Sequence, residues 1–325
     1  MPLAVTKKIV RILFATVGTT ALFFAAWKYI SIDLLNESLH NLQWRPFCLS
    51  FLAYTAVIAV RAIRFILLGA NLSFLEAFSV AAIHNAMLRI MPFRSGELAY
   101  GFILKRLGKG EFGQGVAAML MLRLLDFGMI SGLTAILAGT YLSSSIGIGQ
   151  ILLVLFFGLS AVFLFFATAP VSRILTQQFL SKRETRNPSL WIWGVRAIRD
   201  VLNLSLKTRI MLSVTTAAVW GLVLIWFYYL MLGLGLSLSV SKSFSAGILG
   251  VLGSILPLSL VGSFGPFEGG IALGFVAIGL PAHAAATVSV LLSMFTFIHN
   301  WILALPGWGW VMIQTYQTAS FKNKI

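Results

Sequence analysis

Six uninterrupted apolar stretches, each long enough to cross the hydrocarbon core of a bilayer, constrain this chain more than any other feature. A membrane-spanning helix needs about 20 consecutive apolar residues. The stretches occupy residues 9–30, 46–69, 116–142, 147–170, 209–235 and 282–305. Only 10% of the 325 residues are charged, against about 25% in soluble domains. The sequence therefore predicts an all-α polytopic membrane protein with about six full transmembrane helices.

Two further apolar regions, 77–106 and 239–280, are interrupted near their middle by residues that disfavour a continuous helix. The first interruption reads Pro-Phe-Arg-Ser-Gly-Glu from Pro92, and the second has proline, glycine and glutamate in the same order between Pro257 and Glu268. Proline removes a helical hydrogen bond and clashes with the preceding turn, and charge is costly in lipid. Each region is therefore predicted to form a re-entrant hairpin of two half-length helices.

The basic residues predict the orientation of these segments. The connection 171–209 holds eight basic and two acidic residues, and the positive-inside rule places such a connection in the cytoplasm. With a cytoplasmic N-terminus, this requires 77–106 to return to the face from which it enters. The loop 31–45 then lies outside, 239–280 enters from the outer face, and the C-terminus is cytoplasmic.

The two interrupted regions lie about half the chain apart and enter from opposite faces, which is the pattern of an inverted-topology repeat. We therefore predict a first membrane half over 1–170, a basic connector over 171–208 and a second membrane half over 209–325. The connector fits either an amphipathic helix on the inner surface or a solvated segment. The N-terminal apolar run resembles a signal peptide, but it continues to Ile30, so we expect an uncleaved helix.

Charged and helix-breaking residues at membrane depth form the candidate site. Ionisable groups there are costly and by default mark a pathway or a binding site. The N-termini of the helices that follow each break present free N–H groups, which suit an anion. The predicted substrate-binding residues are Asn85, Arg89, Arg94, Gly96, Glu97, Arg123, Asp126, Gly265 and Glu268. Alternatively, Arg94 pairs only with Glu97 and Arg123 only with Asp126, and these pairs lock the first hairpin to the next helix.

Other features favour neither a cofactor nor a nucleic acid. Arg61 and Arg64, near the inner end of a span, are expected to snorkel toward lipid phosphate. The histidines lack partners at metal-ligand spacing, so no metal or cofactor is expected. His84, beside Asn85, is expected to pack between helices, and the alternative is that the two residues line the site. The single cysteine, Cys48, excludes an internal disulfide. The net charge of +15 is assigned to cytoplasmic loops beside anionic headgroups rather than to a nucleic-acid surface.

Several motifs occur in a specific order along the chain. They are Asn85, Pro92-x-Arg94-x-Gly96-Glu97, Arg123-Leu-Leu-Asp126, Pro257-x4-Gly262 and Gly265-x-x-Glu268. Together they resemble the transmembrane flippase-like domain of lysylphosphatidylglycerol synthases and its stand-alone relatives. The resemblance covers nearly the whole chain and implies a multi-pass inner-membrane protein of a bacterium or archaeon that moves lipid between leaflets. The soluble aminoacyl-transfer domain of the synthases is not expected here, and neither is lipid aminoacylation.

Two positions depart from the pattern of that family. Tyr100 replaces an arginine often found three residues after the first glutamate, and Gly262-Ser263 replaces paired glycines. The identity of the lipid is therefore open among an anionic phospholipid, a glycolipid and a hopanoid-type lipid.

These features predict a non-enzymatic lipid translocase or scramblase. Arg94 and Arg123 would contact phosphate, while Glu97, Asp126 and Glu268 hold those arginines or bind an amine. Two alternatives stay open. A membrane enzyme would use Glu97 or Asp126 as a general base, and an accessory protein would dock a lipid-biosynthesis enzyme through the basic connector. No oligomeric state is predicted.

Overall fold

The computed structural model describes residues 30–141, 148–175, 204–255 and 265–322. Among these residues, four helices are long and apolar enough to cross a membrane, within Trp44–Leu67, Phe112–Ile136, Leu206–Gly233 and Ala282–Tyr316. The chain is therefore an all-α polytopic membrane protein, as predicted. The predicted span 9–30, most of the connector 171–208 and the loop with Pro257 and Gly262-Ser263 lie outside the described residues.

The described ranges contain ten α-helices. They are α1 (Ile32–His40), α2 (Trp44–Leu67), α3 (Phe74–Ile90), α4 (Ala99–Arg106), α5 (Phe112–Tyr141), α6 (Ile148–Leu175), α7 (Leu206–Gly233), α8 (Val240–Ile255), α9 (Pro266–Ala277) and α10 (Ala282–Lys322). The uninterrupted apolar stretches from 46 onward correspond to α2, α5, α6, α7 and α10. The last of them extends well beyond its predicted end, because α10 continues through Pro306. Helix α1 lies within the segment that was predicted as a loop.

The exposed face of α6 shows how these helices suit a lipid environment. Leu152, Phe156, Leu159 and Phe163 are 60%, 64%, 68% and 70% exposed. Their spacing of four, three and four residues places them on one side of the helix. Water would disfavour such a stripe, whereas hydrocarbon accepts it. This face supports the prediction that α6 is embedded in the membrane.

The first predicted interruption is present. A 3₁₀-helix, Pro92–Leu98, separates α3 from α4. Gly96 lies so close to α3 that a Cβ atom there would be 2.6 Å from the carbonyl oxygen of Met87 and 2.7 Å from the nitrogen of Leu88. Glycine is therefore required at this point because the backbone of the interruption contacts the backbone of the helix before it. Re-entry of this segment into the membrane stays a prediction.

The second interrupted region contains α8 and α9, which pack against each other through small residues. A Cβ atom at Gly274 would lie 2.7 Å from the Cα of Ala246, and one at Gly270 would overlap the carbonyl oxygen of Leu249. Gly270 and Gly274 are four residues apart on α9, so both lie on the face that contacts α8. Close approach of two backbones through small residues is the usual way in which helices associate in lipid.

We expect Gly274→Ala to destabilise the protein, because the added methyl group collides with the backbone of α8 rather than with a flexible side chain. Overpacking of this kind costs about 1–3 kcal/mol, which exceeds the gain of up to about 1 kcal/mol from removing a helical glycine. Gly269→Ala is the matched control, because nothing lies within 4 Å of a Cβ at that position. Thermal unfolding of both variants in detergent tests this, and equal stabilities would contradict it.

The described residues divide into two compact units. The first draws on residues within 1–54, 85–96 and 223–302, and the second on residues within 55–84, 97–222 and 303–325. Each unit thus combines stretches that are far apart in the sequence. The predicted division at 170 and 208 into two membrane halves, and their relation as an inverted repeat, stay predictions.

Polar contacts in the first unit join segments distant in the chain. The backbone N–H of Ser31 donates to the hydroxyl of Thr287 at 2.9 Å, and the hydroxyl of Tyr54 donates to Oδ1 of Asn300 at 2.6 Å. The indole of Trp226 donates to Nδ1 of His299 at 3.2 Å. Each of these three hydrogen bonds pairs polar atoms within the protein, as the low dielectric of a membrane interior favours.

The second unit contains the packed helices α4, α5 and α6. Helices α5 and α6 approach closely at Gly128 and Gly158. A Cβ at Gly128 would lie 3.2 Å from the carbonyl oxygen of Gly158, and a Cβ at Gly158 would lie 2.6 Å from the Cβ of Ser131. This close packing fixes α5 against α6, and α5 carries the predicted site residues Arg123 and Asp126.

Candidate functional site

Four charged side chains of the second unit form one continuous network. Arg123 of α5 donates from Nη2 to Glu97, with 2.7 Å to Oε1 and 2.9 Å to Oε2. Its Nη1 donates to Oδ2 of Asp126 at 3.2 Å. Oδ1 of Asp126 in turn accepts from Nη2 of Arg64 at 2.9 Å. The network therefore alternates acid and base from Glu97 through Arg123 and Asp126 to Arg64.

The local folding of three elements positions this network. Arg123 and Asp126 lie three residues apart on α5 and so project from the same face. Glu97 lies near the end of the 3₁₀-helix, and Arg64 lies in the last turn of α2. The network thus ties the predicted interruption to two long helices.

Asp126 accepts hydrogen bonds from three side chains. Besides the two arginines, Oδ1 accepts a hydrogen bond from the indole nitrogen of Trp220 at 3.2 Å. Asp126 is 7% exposed and Arg64 is 2% exposed. Charges buried this deeply are tolerated only when they are paired and hydrogen-bonded. Asp126 provides that pairing for both guanidinium groups.

A small cavity adjoins the network and is lined by Arg61, Arg64, Phe65, His84, Met119, Leu122, Arg123 and Asp126. Its volume is about 20 Å³, which is enough for one water molecule and too small for a lipid headgroup. Three arginines line the cavity, whereas Asp126 and the adjacent Glu97 supply the negative charge. With a neutral histidine, this group carries one net positive charge.

His84 projects from α3 toward Glu97. It is 4% exposed, and its Nε2 lies 3.7 Å from Oε2 of Glu97, which is too long for a hydrogen bond. The rings of Phe65 and Tyr100 lie beside it, with centroids at 6.0 Å and 6.5 Å. The imidazole is thus enclosed by two aromatic rings and faces one carboxylate.

A separate group of predicted residues lies in the first unit. The guanidinium of Arg89 lies over the ring of Phe267, 4.0 Å from its centroid. Glu268 caps α9, because its Oε2 accepts from the backbone N–H of Gly265 at 2.7 Å and its Oε1 accepts from the hydroxyl of Ser293. Gly265 has a φ of 113°, a conformation that favours glycine. The guanidinium of Arg89 therefore lies beside the N-terminal end of the half-length helix α9.

Residues 8–307 match the family described as "Lysylphosphatidylglycerol synthase TM region". The chain belongs to this family. Membership agrees with the multi-pass architecture and connects the protein with lipid metabolism. A comparison with curated proteins finds no match.

The structure brings most of the predicted site residues together in two groups. Glu97, Arg123 and Asp126 lie in the network of the second unit, and Arg89, Gly265 and Glu268 lie together in the first. Asn85 is 6% exposed on α3, and Gly96 contacts the backbone of that helix. The backbone of Arg94 lies in the 3₁₀-helix, whereas its side chain lies outside the described part of the structure.

The predicted role of Arg64 was wrong. It was expected to snorkel toward lipid phosphate, but only 3% of its side chain is exposed and it pairs with Asp126. The snorkelling role was inferred from the position of Arg64 near the end of α2. The sequence does not show that other helices surround this end. The contact of Trp220 with Asp126 was not predicted, because a tryptophan in an apolar helix is common and does not indicate a polar partner. In the described ranges, no three His, Cys, Asp or Glu side chains are grouped as a metal site.

Proposed function

We propose that this protein moves a lipid between membrane leaflets and that the charged network of the second unit binds the headgroup. The observation that carries the proposal is the excess of positive charge around the cavity among membrane helices. Intramembrane ionisable groups are retained mainly where they form a site or a pathway. An excess of arginine over carboxylate favours an anionic headgroup, and phosphate is the anionic group common to most membrane lipids.

Arg123 is the residue best placed to bind that phosphate. Its side chain is 36% exposed, so it is the most accessible of the paired charges in the network. A guanidinium donates two parallel hydrogen bonds to a phosphate in a fixed geometry. Glu97 and Asp126 hold Arg123 in its present position and thereby set its orientation. Because the cavity admits only water, a headgroup enters when Arg123 turns away from one of these carboxylates.

The remaining predicted residues complete the proposal. Arg94 is kept as a proposed phosphate-binding residue, and the Arg89–Phe267–Glu268 group is proposed as a second polar contact region in the first unit. The protein lies in the inner membrane of a bacterium or archaeon, with both termini in the cytoplasm. Its hairpins re-enter from opposite faces, and the translocated lipid is an anionic phospholipid or a glycolipid with a phosphate-bearing or otherwise polar headgroup.

Leaflet exchange in reconstituted vesicles tests this function. Purified protein is inserted into vesicles that contain trace fluorescent phosphatidylglycerol, and the label in the outer leaflet is reduced chemically. We expect the inner-leaflet label to become accessible at least several-fold faster than in protein-free vesicles. A fluorescent neutral glycolipid, assayed in parallel, measures headgroup preference.

Two results would contradict the proposal. One is unaccelerated exchange of every labelled lipid class, and the other is a new lipid product detected by mass spectrometry after incubation with the purified protein. The second result would favour the membrane-enzyme alternative, in which Glu97 or Asp126 acts as a base. The present geometry offers less support for that role, because both carboxylates are already engaged by guanidinium groups.

A further inference from the structure

His84 is a buried polar group whose environment is not explained by packing alone. Its Nε2 is buried and has no hydrogen-bond partner in the described part of the chain. An unsatisfied buried nitrogen is costly, and such groups in native structures call for a reason. The nearest carboxylate oxygen, Oε2 of Glu97, lies only 3.7 Å away. A shift of less than 1 Å would therefore bring the imidazole and the carboxylate into hydrogen-bond distance.

Glu97 is the partner that His84 and Arg123 share. Arg123 at present contacts both carboxylate oxygens of Glu97. If Arg123 turns to bind a phosphate, the carboxylate of Glu97 loses the positive charge of that guanidinium. A buried carboxylate that loses a charged partner is destabilised. The imidazolium form of His84, whose Nε2 lies 3.7 Å from Oε2 of Glu97, would restore positive charge beside that carboxylate.

We propose that the cavity takes up one proton together with each phosphate headgroup, with the proton residing on His84. In this state the His84 imidazolium pairs with Glu97, while Arg123 donates to the phosphate oxygens. The proton comes from water and adds to a ring-nitrogen lone pair, and no other covalent bond changes. The inference rests on the proposed lipid-binding function of this site and adds a co-transported proton to it.

The charges that face His84 favour this order of events. They come from α2 (Arg61 and Arg64), from the 3₁₀-helix (Glu97) and from α5 (Arg123 and Asp126), and the phenol of Tyr100 on α4 lies beside the ring. In the empty cavity three guanidinium groups oppose an additional positive charge. A bound phosphate adds negative charge and releases Glu97 from Arg123. Both changes favour the protonated imidazole, so proton binding and phosphate binding reinforce each other.

This coupling fixes the sign of the pH dependence. Because linkage is reciprocal, an anion that favours proton binding must bind more tightly as the pH falls. A single linked proton allows the affinity to change by at most about tenfold per pH unit. We therefore expect binding and exchange of phosphatidylglycerol to increase on acidification and to level off once His84 is protonated in both states.

Proton uptake measures the proposal directly. Purified protein in a weakly buffered detergent solution with a pH-sensitive dye is mixed with a short-chain phosphatidylglycerol, whose phosphodiester does not titrate near neutral pH. We expect uptake of up to one proton per protein and none for His84→Gln. Sodium sulfate forms a second arm. Uptake with both probes would show that the proton site also serves free oxyanions, whereas uptake with the lipid alone would show that it requires a lipid headgroup.

Matched variants separate this site from general effects of pH. Glu97→Gln removes the proposed partner of the imidazolium and should abolish uptake as well, which keeps the test valid if His84→Gln misfolds. His299→Gln is the control, because His299 is also buried but accepts from Trp226 and faces no carboxylate among the contacts described here. It should retain wild-type uptake. Uptake that persists in both His84→Gln and Glu97→Gln would overturn the proposal.

The same experiments separate this inference from the translocase function. Exchange of phosphatidylglycerol that is accelerated but independent of pH, with no proton uptake, would remove the proton and leave lipid translocation standing. Proton uptake on lipid binding without accelerated exchange would support the proton site and contradict translocation.

Discussion

Replacing Asp126 by asparagine is expected to lower the free energy of unfolding by about 3–5 kcal/mol, the usual cost of removing one partner from a buried ion pair. Asparagine preserves the shape of the side chain and still accepts one hydrogen bond. It removes the charge, however, that compensates Arg64 at 2.9 Å and Arg123 at 3.2 Å. The loss falls mainly on Arg64, since Arg123 retains Glu97. Unfolding in detergent micelles, followed by helical circular dichroism, measures this change.

The ion pair between Glu76 and Lys109 provides the control. Nζ of Lys109 lies 3.4 Å from Oε1 of Glu76, and the two side chains are 35% and 15% exposed. A pair this accessible contributes at most about 1 kcal/mol. Glu76→Gln makes the same change of carboxylate to amide outside the network. It should cost at most about 1 kcal/mol, because the glutamine oxygen can still accept from the backbone N–H of Ser73. An Asp126→Asn protein as stable as Glu76→Gln would show that the network does not hold α2 and α5 together.

Replacing Arg123 by glutamine is expected to slow phosphatidylglycerol exchange by about tenfold or more. A hydrogen bond to a charged group contributes about 1.5–3 kcal/mol, and each 1.4 kcal/mol corresponds to about a tenfold change. The substitution also removes the excess positive charge, leaving two arginines and two carboxylates in the group. Arg123→Lys keeps the charge without the two-pronged geometry, so it should recover only part of the rate. Initial exchange rates in vesicles at equal protein density measure both effects.

Arg45→Gln is the matched control for this prediction. Arg45 is exposed in the first turn of α2 and makes the same substitution possible away from the network. Its exchange rate should equal that of the wild type. Monodisperse elution of each variant confirms folding before the assay. Wild-type exchange in a folded Arg123→Gln protein would exclude this arginine from the headgroup site.

The break between α3 and α4 was predictable because its cause is local. Pro92 and Gly96 lie inside an apolar run, and both residues act on the backbone at their own positions, so a break was expected without knowledge of any neighbour. Arg123 and Asp126 were also recognisable as partners from their spacing of three on one helix. The 3₁₀ form of the interruption was not predicted, since it depends on how closely Gly96 packs on α3.

The partners of Asp126 outside α5 could not be predicted in the same way. Arg64 precedes it by 62 residues and Trp220 follows it by 94, and no sequence period relates them. An arginine near a helix end fits a lipid-facing role equally well until the packing of α2 is known. The proximity of His84 to Glu97 could not be predicted either. An isolated histidine in an apolar helix indicates packing until the position of Glu97 is known.

The three donors to Asp126 also constrain the biogenesis of the protein. Helix α5 leaves the ribosome with a carboxylate whose placement at the centre of a lone membrane helix is disfavoured by about 2.5–3.5 kcal/mol. Arg64 has already been synthesised and is available at once, whereas Trp220 emerges 94 residues later, roughly 5–20 s at ordinary translation rates. Arg123 on α5 itself neutralises part of this charge, and we expect integration of α5 to be favoured further when α2 remains nearby. Helix α7 completes the coordination of Asp126 only afterwards.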